Sequence, residues 1–507
     1  AGPDSRTPDA GADSGMPDAG TPDAGVDAGP PDAGGEPDSG TPDAGTPPDL
    51  GEDLPLPTAL TTYYVSASLG DDGWSGTLPE PNGSLTDGPR ASLGAAAALL
   101  NGADPGTHVL LRRGDTWQPT GTVEISDAIG TEADPIVLGA YGEGAQPSIV
   151  SQHAGHTFTI RGSARGGTSY FRMHDLRLTA ASIQQGQDAL YLFESLHPEM
   201  PHHVTFSELT IENNATGITM YGNDHLVHGS RIANNTMGHG AWVHADNIAF
   251  RYTEFEHNGL PPPDTAVHSI YFSDCDGVLF EHNVVHTATD GVKARRTQNG
   301  IYRHNTFYEI EAIGIHLGGD SNGGANNNRI ESNLFHDNAV GIVIKSESGI
   351  QTDPIDGLVI ANNILHSSRV GFVEWGSHLV IDADVPAQNV WVVHNLLYDM
   401  DDDHGIHIGN GGANITCANN IVGKFTAGRT YNFHANVITS NNLSFTTRAD
   451  FDTLGLVDPT AFDFEITASS TLLIDQGTDF TGVLDVDYVD APRPVGGGYD
   501  IGPYELQ

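Results

Sequence analysis

Cysteine, basic side chains and long apolar runs are all scarce in this 507-residue chain, and each shortage excludes something. There are two cysteines, Cys275 and Cys417. In the repeat register derived below they lie several rungs apart, and rungs stack at roughly 4.8 Å. That separation exceeds disulfide reach, so both read as small buried residues. Lysine and arginine together number 21 against 66 acidic residues, a net charge of -45. Such a balance argues against binding nucleic acid or an anionic membrane by bulk charge, and it makes any basic cluster conspicuous. No run of about 18 apolar residues occurs, so no helical membrane span is expected. The chain opens at Ala1 without a targeting segment. The expectation is a processed precursor, located outside the cell or on its surface, with a lipid-modified cysteine ahead of Ala1 as one form of outer-membrane tether.

What is abundant at the start is a short motif. Pro17-Asp18-Ala19-Gly20, Pro22-Asp23-Ala24-Gly25, Pro31-Asp32-Ala33-Gly34 and Pro42-Asp43-Ala44-Gly45 repeat within residues 1–58. With almost no large apolar side chain, this stretch cannot offset its chain entropy by burial. Proline and like-charged aspartates favour extension, so 1–58 is expected to be a disordered stalk and 59–507 the folded domain.

The folded part begins with strand-like and turn-like pieces around Tyr63-Tyr64-Val65, followed by a short apolar helix within Ala91–Leu100. An apolar helix placed before repeated strands suits the terminal cap that a stacked fold requires. From about residue 202 the repeat is explicit. A strand ends in Asn plus an apolar residue, a loop follows, and then Gly opens a second strand. Asn283, Asn305, Asn333, Asn363, Asn395 and Asn420 recur at spacings of 22, 28, 30, 32 and 25 residues. Stacked asparagines hydrogen-bond to one another, and each rung buries its apolar side only against its neighbours. The product is a parallel β-solenoid.

These segments resemble the bacterial right-handed parallel β-helix repeat proteins of the pectate-lyase-like superfamily. The resemblance covers about residues 60–507, including the tail Ala491-Pro492-Arg493-Pro494-Val495-Gly496-Gly497-Gly498-Tyr499-Asp500-Ile501-Gly502-Pro503-Tyr504-Glu505. It implies an all-β, right-handed parallel β-helix with a short N-terminal capping helix.

Strand side chains alternate sides, so the Gly column fixes a register. The first residues after Gly217, Gly240, Gly291, Gly314, Gly341, Gly371 and Gly405, with Ser269 in the Gly place of one rung, point inward. They are Ile218, Ala241, Val292, Ile315, Ile342, Phe372 and Ile406, with Ile270 after Ser269; all are apolar. The next residues point outward: Thr219, Trp242, Tyr271, Lys293, His316, Val343, Val373 and His407. Two positions further on lie Tyr221, His244, Ser273, Arg295, Gly318, Lys345, Trp375 and Gly409. In this register Glu374 falls on an inward position, where a charge is out of place. One outer face thus gathers Trp242, His244, Tyr271, Lys293, Arg295, His316, Lys345, Trp375 and His407.

That face suits β-elimination on an acidic polysaccharide. Such a lyase needs a base for the proton beside a uronate carboxylate, a cation for the enolate-like charge and an acid for the leaving oxygen. Lys293 is the candidate base, its ammonium disfavoured by Arg295. Arg295 or Lys345 is the candidate carboxylate holder, and His316 the candidate acid, with Arg295 and Arg296 as the alternative. Trp242, His244, Tyr271, Lys345, Trp375 and His407 are the candidate substrate contacts. The stretch Lys293–Gly318 also resembles the alginate and chondroitin lyases of polysaccharide lyase family 6, which place a catalytic Lys before an Asn-Thr-Phe strand; here the strand is Asn305-Thr306-Phe307, and His316 stands where that family has Arg. Asp274, Asp276, Asp290 and Asp320 are the candidate Ca²⁺ ligands, and the same acids keep a glycoside hydrolase or epimerase in view. The remaining reading is a monomeric, non-catalytic adhesin or carbohydrate-binding solenoid. Of the 24 histidines, His257, His282, His304 and His394 stand in His-Asn turns and read as structural.

Overall fold

The computed structural model describes residues 54–163, 166–193, 199–259, 267–346, 353–368, 377–382, 386–400, 404–409 and 412–507. Most of the stalk expected over 1–58 lies outside the described residues. Its last residues do not: Arg172 donates from Nη1 to the Pro55 carbonyl at 2.9 Å and from Nη2 to that of Leu54.

Between Thr61 and Phe445 the described strands coil as a parallel β-helix and form one 27-stranded and one 13-stranded sheet. The rungs begin well before residue 202, where the repeat becomes legible in sequence: Thr61–Val65 pairs in parallel with Thr107–Arg112, which pairs with Ile136–Tyr141. A helix at Leu93–Leu100 is capped by Ser92, whose Oγ accepts the Ala95 N–H at 3.1 Å. Leu93, Ala96, Ala97 and Leu100 are buried in the same core as the first strands. The helix therefore closes apolar surface that no preceding rung covers.

Inward side chains stack in columns. One runs Phe250, Phe280, Tyr302, Ile330, Ile360, Val392 and Cys417; all are buried. Cys275 and Cys417 are both buried free thiols.

The asparagine column is a hydrogen-bonded ladder at one turn. Asn283 Nδ2 donates to Asn305 Oδ1 at 3.0 Å, Asn305 to Asn333 at 2.9 Å and Asn333 to Asn363 at 3.0 Å. It continues through Asn395 and Asn420 and reaches Asn442, one rung beyond the sequence pattern. The residue before each ladder Asn adopts the left-handed conformation: His282, His304, Ser332, Asn362, His394, Asn419 and Asn441 have φ between 49° and 58°. Asn and His tolerate that region better than most residues, which accounts for the His-Asn turns.

The glycine column has a steric cause. A Cβ on Gly291 would sit 2.3 Å from the Gly314 carbonyl oxygen, and one on Gly217 would sit 2.4 Å from that of Gly240. At these two glycines adjacent rungs approach too closely for a side chain.

The register predicted from that column holds for every rung except one. Ile218, Ala241, Ile270, Val292, Ile315 and Ile342 are aligned partners. The next partner of Ile342 is Leu379, which in turn pairs with Ile406. Leu379 and Val380 therefore occupy the columns in this rung, whereas Phe372 and Val373, assigned there from the sequence, lie outside the described residues. Ser377–Ile381 carries His378 where the adjoining rungs have Gly341 and Gly405, so the sequence pattern seized on Gly371 instead. Residues 371–376, Trp375 and Glu374 among them, lie outside the described residues.

Candidate functional site

Four consecutive strands of the larger sheet build the candidate site: Ala241–Asp246, Ile270–Ser273, Val292–Arg295 and Ile313–Gly318. Trp242 pairs with Tyr271, Tyr271 with Lys293, and Lys293 with His316. The outward column is thus as expected through these rungs, although "outward" does not mean exposed. Lys293 is only 5% and His316 8% exposed.

The two side chains meet: Lys293 Nζ lies 2.6 Å from His316 Nδ1. Burial brings the Lys293 amine down to about 7, against the pull of Asp290 and with help from the Lys345 and Arg295 charges. Burial also holds His316 well below the ordinary histidine range, with the charge of Lys293 adding to it. At neutral pH His316 is therefore an uncharged acceptor for a Lys293 N–H, and it has no imidazolium proton to give.

Arg295 is half-buried and fixed on two sides. Its Nε and Nη2 donate to Asp320 Oδ2 at 2.9 and 2.5 Å, and Nη1 donates to Tyr271 Oη at 3.1 Å. Arg296 bridges Asp274 and Asp320. Tyr271, expected as a substrate contact, thus presents its hydroxyl to a guanidinium beside Lys293.

The four aspartates expected around a Ca²⁺ ion are otherwise engaged. Asp274 and Asp320 hold Arg295 and Arg296. Asp290 accepts from the Ile313 N–H at 3.1 Å and lies 3.0 Å from His268 Nδ1, and Asp276 accepts from Asn299 Nδ2 at 2.7 Å. With both oxygens of Asp274 taken by Arg296 and those of Asp320 taken by the two guanidinium groups and the Asn322 N–H, that pair does not fit an oxygen-lined cation site.

The remaining expected contacts spread along the helix axis. Trp242 and His244 are half-buried, their rings 5.2 Å apart, and the buried Trp242 Nε1 has no hydrogen-bond partner among the described residues. Lys345 follows the strand Val340–Ile344, near enough for its charge to act on both Lys293 and His316. His407 is four rungs from Lys293, or about 19 Å at the rung spacing, and its Nδ1 accepts from Asn432 at 2.8 Å. It does not join the cluster.

Two neighbours were not singled out in the sequence. His268 stacks on His239 with centroids 5.5 Å apart, and both flank Tyr271. Each immediately precedes the Gly-column position, as His239-Gly240 and His268-Ser269. That position was the signal, one residue ahead of the columns read. Further toward the N-terminus, His156, Tyr191, Phe193, Tyr221 and His244 continue the face as a chain of ring contacts.

One family model, described as the right-handed β-helix region, matches residues 164–328 and 201–444. No curated protein sequence matches the chain. Among solved structures, the PL6 family alginate lyase AlyGC superposes with a TM-score of 0.51 at 15% identity, covering 70% of this chain and 52% of that one. The pectate lyase Pel9A gives a TM-score of 0.42 at 16% identity, over 89% of this chain and 98% of its own. A GH136 lacto-N-biosidase from Eubacterium ramulus gives 0.45 at 16% identity, over 76% and 68%. At these identities the likeness is one of fold alone.

Proposed function

The chain belongs to the right-handed β-helix family, and from that premise we propose that it is a polysaccharide lyase cleaving a uronate-containing glycan by β-elimination. The observation that carries the reading is the Lys293 amine, brought down to about 7 beside Arg295 and Lys345. A lysine titrating there is substantially neutral at physiological pH and serves as a general base. It takes the proton beside the uronate carboxylate, while the positive field of Arg295 and Lys345 stabilises the enolate-like charge. Tyr271, hydrogen-bonded to Arg295 at 3.1 Å, gives its hydroxyl proton to the leaving oxygen as the C–O bond breaks and the C=C bond forms. His316 accepts from Lys293 and orients it, rather than acting as the acid. Trp242 and His244 extend the face for sugar contacts.

A second reading is favoured by the burial of Lys293 and His316, at 5% and 8% exposure: the pair is internal scaffolding, and the aromatic face binds glycan without cutting it. Incubation with alginate, pectate and glycosaminoglycans, followed by ultraviolet absorbance of the unsaturated product, separates the two. Rising absorbance on one acidic glycan supports the lyase. Binding to a glycan column with no absorbance change on any of them supports the scaffold and sinks the lyase.

A further inference from the structure

We propose that Glu254, Glu256 and His286 bind one transition-metal ion of the Zn²⁺ type. They lie on the 13-stranded sheet, whereas Lys293 and His316 belong to the larger one. In the strand Glu254–Glu256, Phe255 is buried in the core, so alternation places both glutamates outward. The next rung aligns Phe255 with Val285 and Glu256 with His286. One ligand atom from each of the three lies within 4.8 Å of the other two.

The hydrogen bonds around His286 fix which nitrogen faces the glutamates as a lone pair. Thr287 Oγ1 donates its only proton to Glu309 Oε2 at 2.9 Å. It can then only accept from His286 Nδ1, 3.0 Å away, so Nδ1 carries the proton. In the neutral ring Nε2 is left with a lone pair, and it points at Glu254 Oε1 at 3.2 Å. A lone pair aimed at a carboxylate oxygen, with the imidazole 7% and Glu254 9% exposed, calls for a positive charge between them. Ligand atoms held about 2.0–2.1 Å from a tetrahedral Zn²⁺ are about 3.3 Å apart, close to the 3.2 Å between His286 Nε2 and Glu254 Oε1.

The outer contacts match those of metal ligands. Arg231 takes Glu254 Oε2 at 3.1 Å and Glu256 Oε2, which leaves each carboxylate a second oxygen. The His286 ring is held flat by stacking on Tyr308, centroids 4.6 Å apart. A hydrogen-bonded far nitrogen and oriented carboxylates are what keep a metal-binding histidine and its partners in place. Imidazole with carboxylate favours Zn²⁺ over Ca²⁺ or Mg²⁺, and the half-buried Glu256 leaves a further position to solvent.

The test uses the full chain, stripped with chelator and dialysed against Zn²⁺ or Co²⁺, with bound metal counted per chain. The expected result is one tightly held ion, an intense tetrahedral Co²⁺ visible spectrum, and a rise in unfolding temperature on adding Zn²⁺. Glu256→Gln and His286→Gln should each lose that ion with at least a tenfold fall in affinity, while their metal-free unfolding temperatures stay close to that of the unsubstituted chain. The positive charge is only a proton on His286, and the proposal is overturned, if the full chain retains no ion or if both variants keep it.

Discussion

Replacing Lys293 with methionine keeps most of the side chain's volume and removes its charge, so the stability difference between the two proteins reports how Lys293 titrates. An ordinary lysine titrates near ~10.4, whereas Lys293 is brought down to about 7 in the fold. Above ~10.4 the amine is neutral both folded and unfolded, and burial costs nothing through charge. Between the two values the unfolded chain binds a proton that the native state does not, so native stability rises with pH. Below 7 both states are protonated, and the native state carries the whole cost of burying an ammonium. At about 1.4 kcal/mol per pH unit, that cost is roughly 4–5 kcal/mol at low pH, and roughly 1 kcal/mol of it remains at pH 9.5. Losing the Lys293 partner of His316 removes a hydrogen bond worth roughly 1 kcal/mol at either pH. The stability of Lys293→Met relative to the unsubstituted protein should therefore be about 3 kcal/mol more favourable at pH 7 than at pH 9.5. Long repeat arrays depart from two-state unfolding. The comparison is best made by paired urea titrations together with amide exchange in Val292–Arg295 and Ile313–Gly318. An equal gap at the two pH values would mean that Lys293 titrates as an ordinary lysine, and the proposed base would lose its basis.

Asn363 Nδ2 donates to the Ile330 carbonyl at 2.8 Å and to Asn395 Oδ1 at 2.9 Å, while its Oδ1 accepts from Asn333 N at 3.1 Å and Nδ2 at 3.0 Å. Asn363→Ala should then cost about 3–5 kcal/mol, read as lost amide protection at residues 333 and 363. Gly291→Ala, with its Cβ 2.3 Å from the Gly314 oxygen, should cost about 1–3 kcal/mol in a thermal melt; Gly83→Ala, with nothing within 4 Å, is the neutral control. Tyr271→Phe should lower lyase kcat by roughly 10²–10⁴-fold with little change in unfolding temperature, and full turnover by this variant would remove Tyr271 from the acid role.

The β-helix is legible in the sequence because its two governing constraints repeat. The Asn ladder needs an amide at one corner of each rung, and the close rung approach needs Gly at another. Where a rung breaks the second rule, as at His378, the register read from sequence slips, and Phe372 is assigned to a column that Leu379 fills. The asparagine ladder starts only at Asn283, with Thr253 and Ser230 in the equivalent place of the two rungs ahead of it, and the rungs before residue 202 escape because their turns lack the Asn signal. The candidate site is half legible. Alternation alone brings Tyr271, Lys293 and His316 together. It cannot show that Lys293 and His316 are buried, that Arg295 is committed to Asp320, or that His239 and His268 stand behind Tyr271. Those depend on loop packing and side-chain rotamers, which leave no period in the sequence.

Whether Lys293 acts as a base is open to direct measurement. The protein and its Lys293→Ala variant, matched for unfolding temperature and for retention on the same acidic glycan, are compared for formation of unsaturated product. The account predicts accumulation by the unsubstituted protein and none above background by the variant. Equal product from both would contradict it.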